Sequence, residues 1–337
     1  MKKIVGICAA VLLWAAVGCE SYVYENGPVR ELGEGTLNVR VRYGDVKSRS
    51  LEDYQEATEE EMNIVRVDVL VFDKTSGRLE MSGTVDGTGQ KCSLKVIEGE
   101  KIVYAIVNGP DLEGVTSVSE LMKVKDDMSL RGMSSDGLMM TGCTTCTVVP
   151  GKVVEPEIIV RWLAARVVLG RLECGIAKQF KNMTLDCVFL GNANVSQTVG
   201  GTVGKMVNID GYADEAKKSP IGVGETKGAC PDYLYRSLNK TIEVEKAYEE
   251  GCCLYCQPNP GTMHTCLYIR VLIDGNPYYY RVPLHGGLVA NHTYSVEAVV
   301  TNLGASEPPM SDMQKGEIVA TVSVKGWDPG DDYVAEF

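Results

Sequence analysis

The residues best placed to do chemistry are the cysteines, twelve in all, because two pairs of them have the spacing of a metal or redox site. Cys143-x-x-Cys146 and Cys253-x-x-Cys256 each have zinc-like local spacing, yet they lie far apart and in what read as different domains. A redox pair calls for a helix N-terminus behind a strand, whereas Thr144-Thr145 stand among strand formers. Apart from Cys8 and Cys19, the set is Cys92, Cys143, Cys146, Cys174, Cys187, Cys230, Cys252, Cys253, Cys256 and Cys266. In an exported chain these read as structural disulfides or free buried thiols, with no pairing legible. Gly200-Gly-Thr-Val-Gly-Lys205 looks like a phosphate loop, but Val199 stands where the first glycine is needed and Met206 where the hydroxyl is needed. Gly132-Met-Ser-Ser-Asp136 lacks the second glycine of a nucleophile elbow. His264, His285 and His292 have no i, i+4 spacing on a helix, and paired carboxylates for glycoside cleavage have no local signal. Glu59-Glu60-Glu61, Asp126-Asp127 and Glu249-Glu250 read as solvated faces, and Asp328 to Asp332 as a Pro-Gly turn. The expectation is a protein without catalytic residues, metal or cofactor.

Cys19 has a different chemistry in view. It follows Ala16-Val17-Gly18, behind Lys2, Lys3 and the apolar run Ile4 to Val17. That order is a charged region, an apolar region and a small-residue cleavage site, which is the grammar of a secretory signal over residues 1–18. Gly18-Cys19 resembles the bacterial lipobox, in which the cysteine carries lipid (palmitate among its acyl chains) and becomes the first mature residue. The alternative is ordinary signal cleavage with Cys19 as a bystander. At ~0.8 kcal/mol per buried CH₂, a lipid with several chains is a durable membrane anchor. No later segment is apolar for long enough to cross a bilayer as a helix.

The elements that would position such groups are strands. Thirty-six glycines and short alternating apolar runs between turn residues indicate an all-β protein, and the length of 337 residues suits two domains. A net charge of -12 argues against nucleic-acid backbones and anionic membrane surfaces as partners. In Thr36 to Tyr43, the residues Leu37, Val39, Val41 and Tyr43 alternate with Asn38, Arg40 and Arg42, as in a half-buried strand running to about Val46. Gly44 to Glu61 reads as an exposed loop. Further strands are expected at Ile64–Phe72, Arg78–Val85, Lys101–Asn108, Met139–Thr141, Cys146–Val149, Glu157–Arg161, Trp162–Leu172 and Thr184–Leu190. Asp73 to Gly77 forms a turn, and Ser117-x-x-Glu120 opens one short helix from Val118 to about Met128. After a glycine-rich excursion over 191–233, Cys266–Ile273 and Tyr278–Pro283 form a hairpin around Asp274-Gly-Asn276. Tyr294–Asn302 and Ile318–Val324 are the last long strands, with Ile318, Ala320, Val322 and Val324 on one face. A final strand places Tyr333, Ala335 and Phe337 together.

Several segments taken in order resemble the Bacteroidia-type fimbrillins, the type V pilins. They are Val67-Asp-Val-Leu-Val-Phe-Asp73 with Gly77, Val103-Tyr-Ala-Ile-Val-Asn108, Met140-Thr-Gly142, Arg161-Trp-Leu-Ala-Ala-Arg166, Tyr280-Arg-Val-Pro-Leu284 with Asn291-His-Thr-Tyr294, and the closing Gly304–Pro308 and Ile318–Trp327. The resemblance implies two tandem β-sandwich domains of transthyretin-like topology, 50–160 and 161–337, behind a tether and first strand at 19–49. It implies a structural subunit of adhesive surface fimbriae, exported to the outer membrane on the Cys19 lipid. A trypsin-like protease would cut it between Arg49 and Ser50, with Lys47 as a competing site, and the loss of Leu37, Val39, Val41 and Tyr43 would open a groove for a neighbour's strand. The donor candidates are Ile318 to Val324 and Tyr333 to Phe337. Partners would be other copies, related fimbrial subunits and receptors on host or bacterial surfaces. Two alternatives stand beside this reading: an uncleaved lipid-held anchor or accessory subunit, and a glycan-binding surface lipoprotein using Tyr278-Tyr279-Tyr280.

Overall fold

Alternation builds the first half of the molecule. In the computed structural model, which describes residues 32–43, 54–86, 93–128, 136–180, 182–207, 233–309, 317–328 and 334–336, that half runs through β1 (Glu34–Asn38), β2 (Arg40–Tyr43), β3 (Tyr54–Glu56), β4 (Arg66–Asp73), β5 (Leu79–Asp86), β6 (Ser93–Ile97) and β7 (Gly99–Val107). Helix α1 (Val118–Leu121), β8 (Lys125–Asp127), β9 (Met140–Val148), β10 (Val153–Val154) and β11 (Glu157–Trp162) complete it. A three-stranded sheet, β10-β1-β6, faces a seven-stranded sheet in which β2-β11-β9-β7-β4-β5 are neighbours. Val67, Val69 and Val71 of β4 point into the core between them, with Val103, Ala105 and Val107 of β7. The alternate residues Leu70 and Phe72 are buried too, because they meet Leu121 of α1, Ile106 and Met139 on the other face.

The second half contains β12 (Ala165–Cys174), β13 (Asn182–Gly191), β14 (Ala193–Asn194), β15 (Ser196–Thr198), β16 (Met206–Val207), β17 (Tyr235–Glu243), β18 (Ala247–Tyr248) and β19 (Cys252–Cys256). It ends with β20 (Cys266–Ile273), β21 (Asn276–Pro283), β22 (His292–Val300), β23 (Ile318–Asp328) and β24 (Val334–Glu336). The sheet β18-β12-β22-β23-β3, with β19 also on β12, opposes β17-β13-β20-β21 across a second core. The nearly all-β, tandem-sandwich class is therefore as expected. The first core draws on residues up to Ala164 together with Tyr233, Tyr255 and Trp327, the second on residues from Ala165 onward, and the chain from Gly33 onward forms one compact unit.

Local signals act where the sequence places them. Asp73 Oδ1 accepts from Ser76 N and Oγ, both at 2.7 Å, and Gly77 has φ +68°. Those two Ser76 bonds hold the Asp73 carboxyl below the usual carboxylate range. Asp274 and Gly275, with φ of 52° and 78°, form the two-residue turn joining β20 to β21. Ser117 caps α1 by accepting from Glu120 N at 3.3 Å, while Glu120 reaches Thr116 N at 2.8 Å. The helix stops at Leu121 and not near Met128, because Lys125–Asp127 pair with Ser196–Thr198 as β8 and β15.

Three further corrections concern strands. The single first strand is two, broken at Val39. Gly44 to Glu61 is not wholly an exposed loop, since β3 pairs in parallel with Gly326–Asp328 of β23. In β23 only Ile318 and Val322 lean on the second core; Ala320 and Val324 are exposed, because this strand has a neighbour along its whole length on one side only. Cys19, Arg49, Ser50, Tyr333 and Phe337 lie outside the described residues.

Gly142 shows how closely the first half packs. A Cβ there would sit 2.2 Å from the Ile159 carbonyl oxygen. Gly142→Ala is expected to cost about 1–3 kcal/mol through overpacking, read as a lowered urea midpoint. An unchanged midpoint would mean that β9 and β11 can separate freely.

Candidate functional site

The segment expected to be exchangeable is built from three apolar side chains. Leu37 and Val39 are 0 % exposed and Val41 is 1 % exposed, all in the first core. β1 is the central strand of its sheet, antiparallel to β6 and parallel to β10, with Thr36 N donating to Lys152 O at 2.9 Å. At Val39 the backbone crosses the sandwich, and β2 continues in the opposite sheet parallel to β11, with Arg40 N donating to Pro156 O at 2.9 Å. One short segment therefore fills an interior position in one sheet and lies outside β11 in the other. The polar residues between these apolar ones face outward, where Asn38 accepts from Ser93 Oγ at 2.8 Å and Arg42 pairs with Glu157 at 2.9 Å. Gly35 lets the strand approach β9, since a Cβ would lie 2.7 Å from Val148 Cγ1 and from Val149 O.

A second cluster joins the two cores and was not anticipated. Glu61 and Asp126, expected on solvated faces, are buried. Glu61 pairs with Arg166 at 2.8 Å, accepts from Tyr255 Oη at 2.5 Å, and accepts from Thr58 N at 2.7 Å. Burial, together with the neighbouring Glu61 carboxylate, pushes the Tyr255 hydroxyl up, so it remains a donor. Arg166 also donates to Thr293 Oγ1 at 2.9 Å and lies 4.9 Å over the Trp327 ring. Trp327 stacks on Trp162 with centroids 4.3 Å apart. Asn291, with φ of 58°, donates its N–H to Ala164 O and receives the Trp327 N–H on its carbonyl. Gln257 donates to Asp126 at 2.6 Å, a further link between the halves. Arg161–Arg166, Asn291–Tyr294 and Trp327 thus meet in one junction.

The groups first considered for chemistry do not assemble. Cys143 and Cys146 stand three apart on β9, so they project to opposite faces, one exposed and one half-buried. The eight described cysteines are free thiols. Among the described residues no three His, Cys, Asp or Glu side chains are placed to share a metal. Gly200 N donates to Met122 O at 3.0 Å, so that amide of the glycine run is turned to the chain itself. His264 and His285 touch edge to face at 5.1 Å, while His292 Nδ1 bonds to Ala290 O. Tyr279 and Tyr280 are buried and only Tyr278 is partly exposed, which leaves no aromatic platform at that cluster. Among the described residues no helix is long and apolar enough to cross a membrane.

Burial pushes the thiols of Cys187, Cys252 and Cys256 up to about 12. Iodoacetamide is therefore expected to modify exposed Cys143 in the native protein and to reach those three only in denaturant, as read by peptide mass mapping. Equal rates at Cys143 and Cys256 would contradict this packing.

The described geometry is that of two β cores, with the β1–β2 segment buried in the first. Residues 35–159, which contain the apolar residues of that segment and most of the first core, match the family model of the major fimbrial subunit protein, FimA. The resemblance to the fimbrillins is borne out. No curated protein matches the chain. A fimbrilin (FimA) from Porphyromonas gingivalis W83 superposes with a TM-score of 0.56 at 15% identity, over 88% of this chain and 98% of that one. A protein described as a cell adhesion protein, from Parabacteroides distasonis ATCC 8503, gives 0.61 at 16% identity, over 88% and 100%. One so described from Bacteroides eggerthii DSM 20697 gives 0.62 at 14%, over 88% and 96%. These likenesses show a shared fold, and the FimA match supports a structural role in fimbriae.

Proposed function

We propose that the protein is a subunit of cell-surface fimbriae, carried to the outer membrane on lipid at Cys19 and cut between Arg49 and Ser50. The groove opened by loss of β1 and β2 then accepts a strand from a neighbouring subunit. The observation that carries this reading is the complete burial of Leu37, Val39 and Val41 in a segment that takes part in both sheets of the first sandwich. A chain stripped of it has an apolar groove and unpaired edges, a template for strand addition. Polymerisation by that route uses binding energy and no catalytic residue. Residues 50–160 and 161–337 would be the two domains of each subunit, tied by the Glu61–Arg166 junction so that tension passes between them.

Treatment with a trypsin-like protease tests this directly. The expected result is SDS-resistant ladders whose subunits begin at Ser50, with Arg49→Ala remaining monomeric. Ladders from Arg49→Ala would move the cut elsewhere. An N-terminus blocked at Cys19 in surface material would favour the uncleaved anchor.

A further inference from the structure

The second sandwich carries two histidines that its topology sets opposite each other. β20 and β21 pair in antiparallel register from Ile273 and Asn276 to Cys266 and Pro283. Beyond that last pair, Leu284 N donates to Thr265 O at 2.9 Å, so the register continues and His264 falls opposite His285. Residues opposite each other on an antiparallel pair have Cβ atoms about 4.5–5.5 Å apart, close enough for two side chains to share one ligand. The imidazole rings lie with centroids 5.1 Å apart and planes at 79°. His264 Nδ1 is buried and has no hydrogen-bond partner among the described residues, while His285 is exposed. The third histidine differs, since His292 Nδ1 lies 2.7 Å from Ala290 O.

The backbone that carries the pair is braced on both sides. Asn192 Nδ2 donates to His264 O at 3.1 Å, and Asn259 Nδ2 donates to Met263 O at 3.1 Å and to Thr265 Oγ1 at 3.0 Å. Asn259 and Leu288 exchange backbone bonds of 3.1 Å in each direction. Gly287, with φ of 79°, runs so close that a Cβ would lie 2.9 Å from Asn259 O. The two histidine-bearing loops are therefore fixed to each other, and side-chain rotation alone separates the observed rings from a chelating arrangement.

We propose that His264 and His285 form a binding site for a divalent transition-metal ion of the zinc and copper kind, which imidazole prefers as ligands go. A tetrahedral ion bonded to one nitrogen of each ring at about 2.0–2.1 Å spaces the ring centres about 5 Å apart, as they are here. Rotation of exposed His285 brings its nitrogen to the ion, which also becomes the partner that His264 Nδ1 lacks. Among the described residues no further thiolate, carboxylate or imidazole completes the set, so two positions of a four-coordinate ion stay open to water or to a group of another molecule. Such a site holds an exchangeable ion and not a structural one. The net charge of -12 favours the approach of cations. The sequence hides the pair because the spacing that marks two histidines on one helix face does not apply across a hairpin.

Copper titration of the untagged full chain, with exposed Cys143 first capped by iodoacetamide, tests the site. Cu²⁺ is the probe because it is the tightest-binding of the divalent first-row ions and its electron paramagnetic resonance spectrum reports its nitrogen ligands. One equivalent should bind, coupled to two imidazole nitrogens. Loss of an outer-shell partner already costs a metal site about 10–100-fold, so His264→Gln and His285→Gln should each weaken binding at least about tenfold. Each should reduce the coupling to one nitrogen, whereas His292→Gln should change neither affinity nor spectrum. The urea midpoints of the metal-free variants should match the parent's, which separates lost binding from lost folding. In the wild type, Zn²⁺ should shield His285 from diethylpyrocarbonate, a readout that needs no substitution. Absence of a bound equivalent, a spectrum with one nitrogen or none, unshielded His285, or affinity that survives either substitution would overturn the site.

Discussion

Glu61→Ala is expected to lower stability by about 3–5 kcal/mol, read as a large fall in the urea midpoint. The substitution leaves the Arg166 guanidinium, 1 % exposed, without its carboxylate, and takes the acceptor away from Tyr255 Oη and Thr58 N. Thr293 Oγ1 and the Trp327 ring remain beside Arg166, but neither carries a countercharge. The pair itself need not be stabilising, since replacing both buried ions by apolar groups is often neutral. The double variant Glu61→Met with Arg166→Met should therefore recover most of the loss shown by Glu61→Met alone, a coupling of about 3 kcal/mol or more in the double-mutant cycle. A single-variant effect below about 1 kcal/mol would mean that water reaches the pair and that the junction is not sealed.

That junction also marks where reading the sequence stops. Alternation in Leu37, Val39 and Val41 reports burial, and all three are buried. It cannot report that Val39 is a crossing point, because period two says which side faces inward and not which sheet pairs the backbone. The turns at Asp73–Gly77 and Asp274–Gly275 are legible because their chemistry is local. By sequence Glu61 is a solvated residue, because a carboxylate next to two others ordinarily is; its partners Arg166 and Tyr255 lie more than a hundred residues away. Asp126 differs from its sequence expectation for the same reason, with Gln257 as the distant donor. One signal was available: the Arg161–Arg166, Asn291–Tyr294 and Trp327 segments all belong to the resemblance, and buried aromatics beside an arginine call for a carboxylate. The helix is shorter than its periodicity predicts because Leu121, Val124 and Met128 keep helical spacing while the ladder that overrides it comes from Ser196–Thr198.

Removing the first segment should have the largest effect of all. Loss of Leu37, Val39 and Val41 from the first core withdraws about 5–9 kcal/mol of burial energy at ~1.5–3 kcal/mol each. That is comparable with the whole stability of a domain. A chain cut at Arg49 and freed of residues before Ser50 is expected to bind an apolar dye, to melt at a much lower temperature, and to lose protection first in β6, β10 and β11, the partners of the missing strands. A synthetic peptide of residues 33–46 should restore the melting temperature, whereas the same peptide with Val39→Asp should not, because a buried, unpaired carboxylate would replace a side chain with no exposed surface. If the cut chain melts like the intact one, the segment is ornamental and strand exchange loses its driving force. If peptide rescue works equally well with Val39→Asp, the pairing of the backbone alone supplies the affinity, and the groove selects its strand by hydrogen bonds and not by the side chains that fill it.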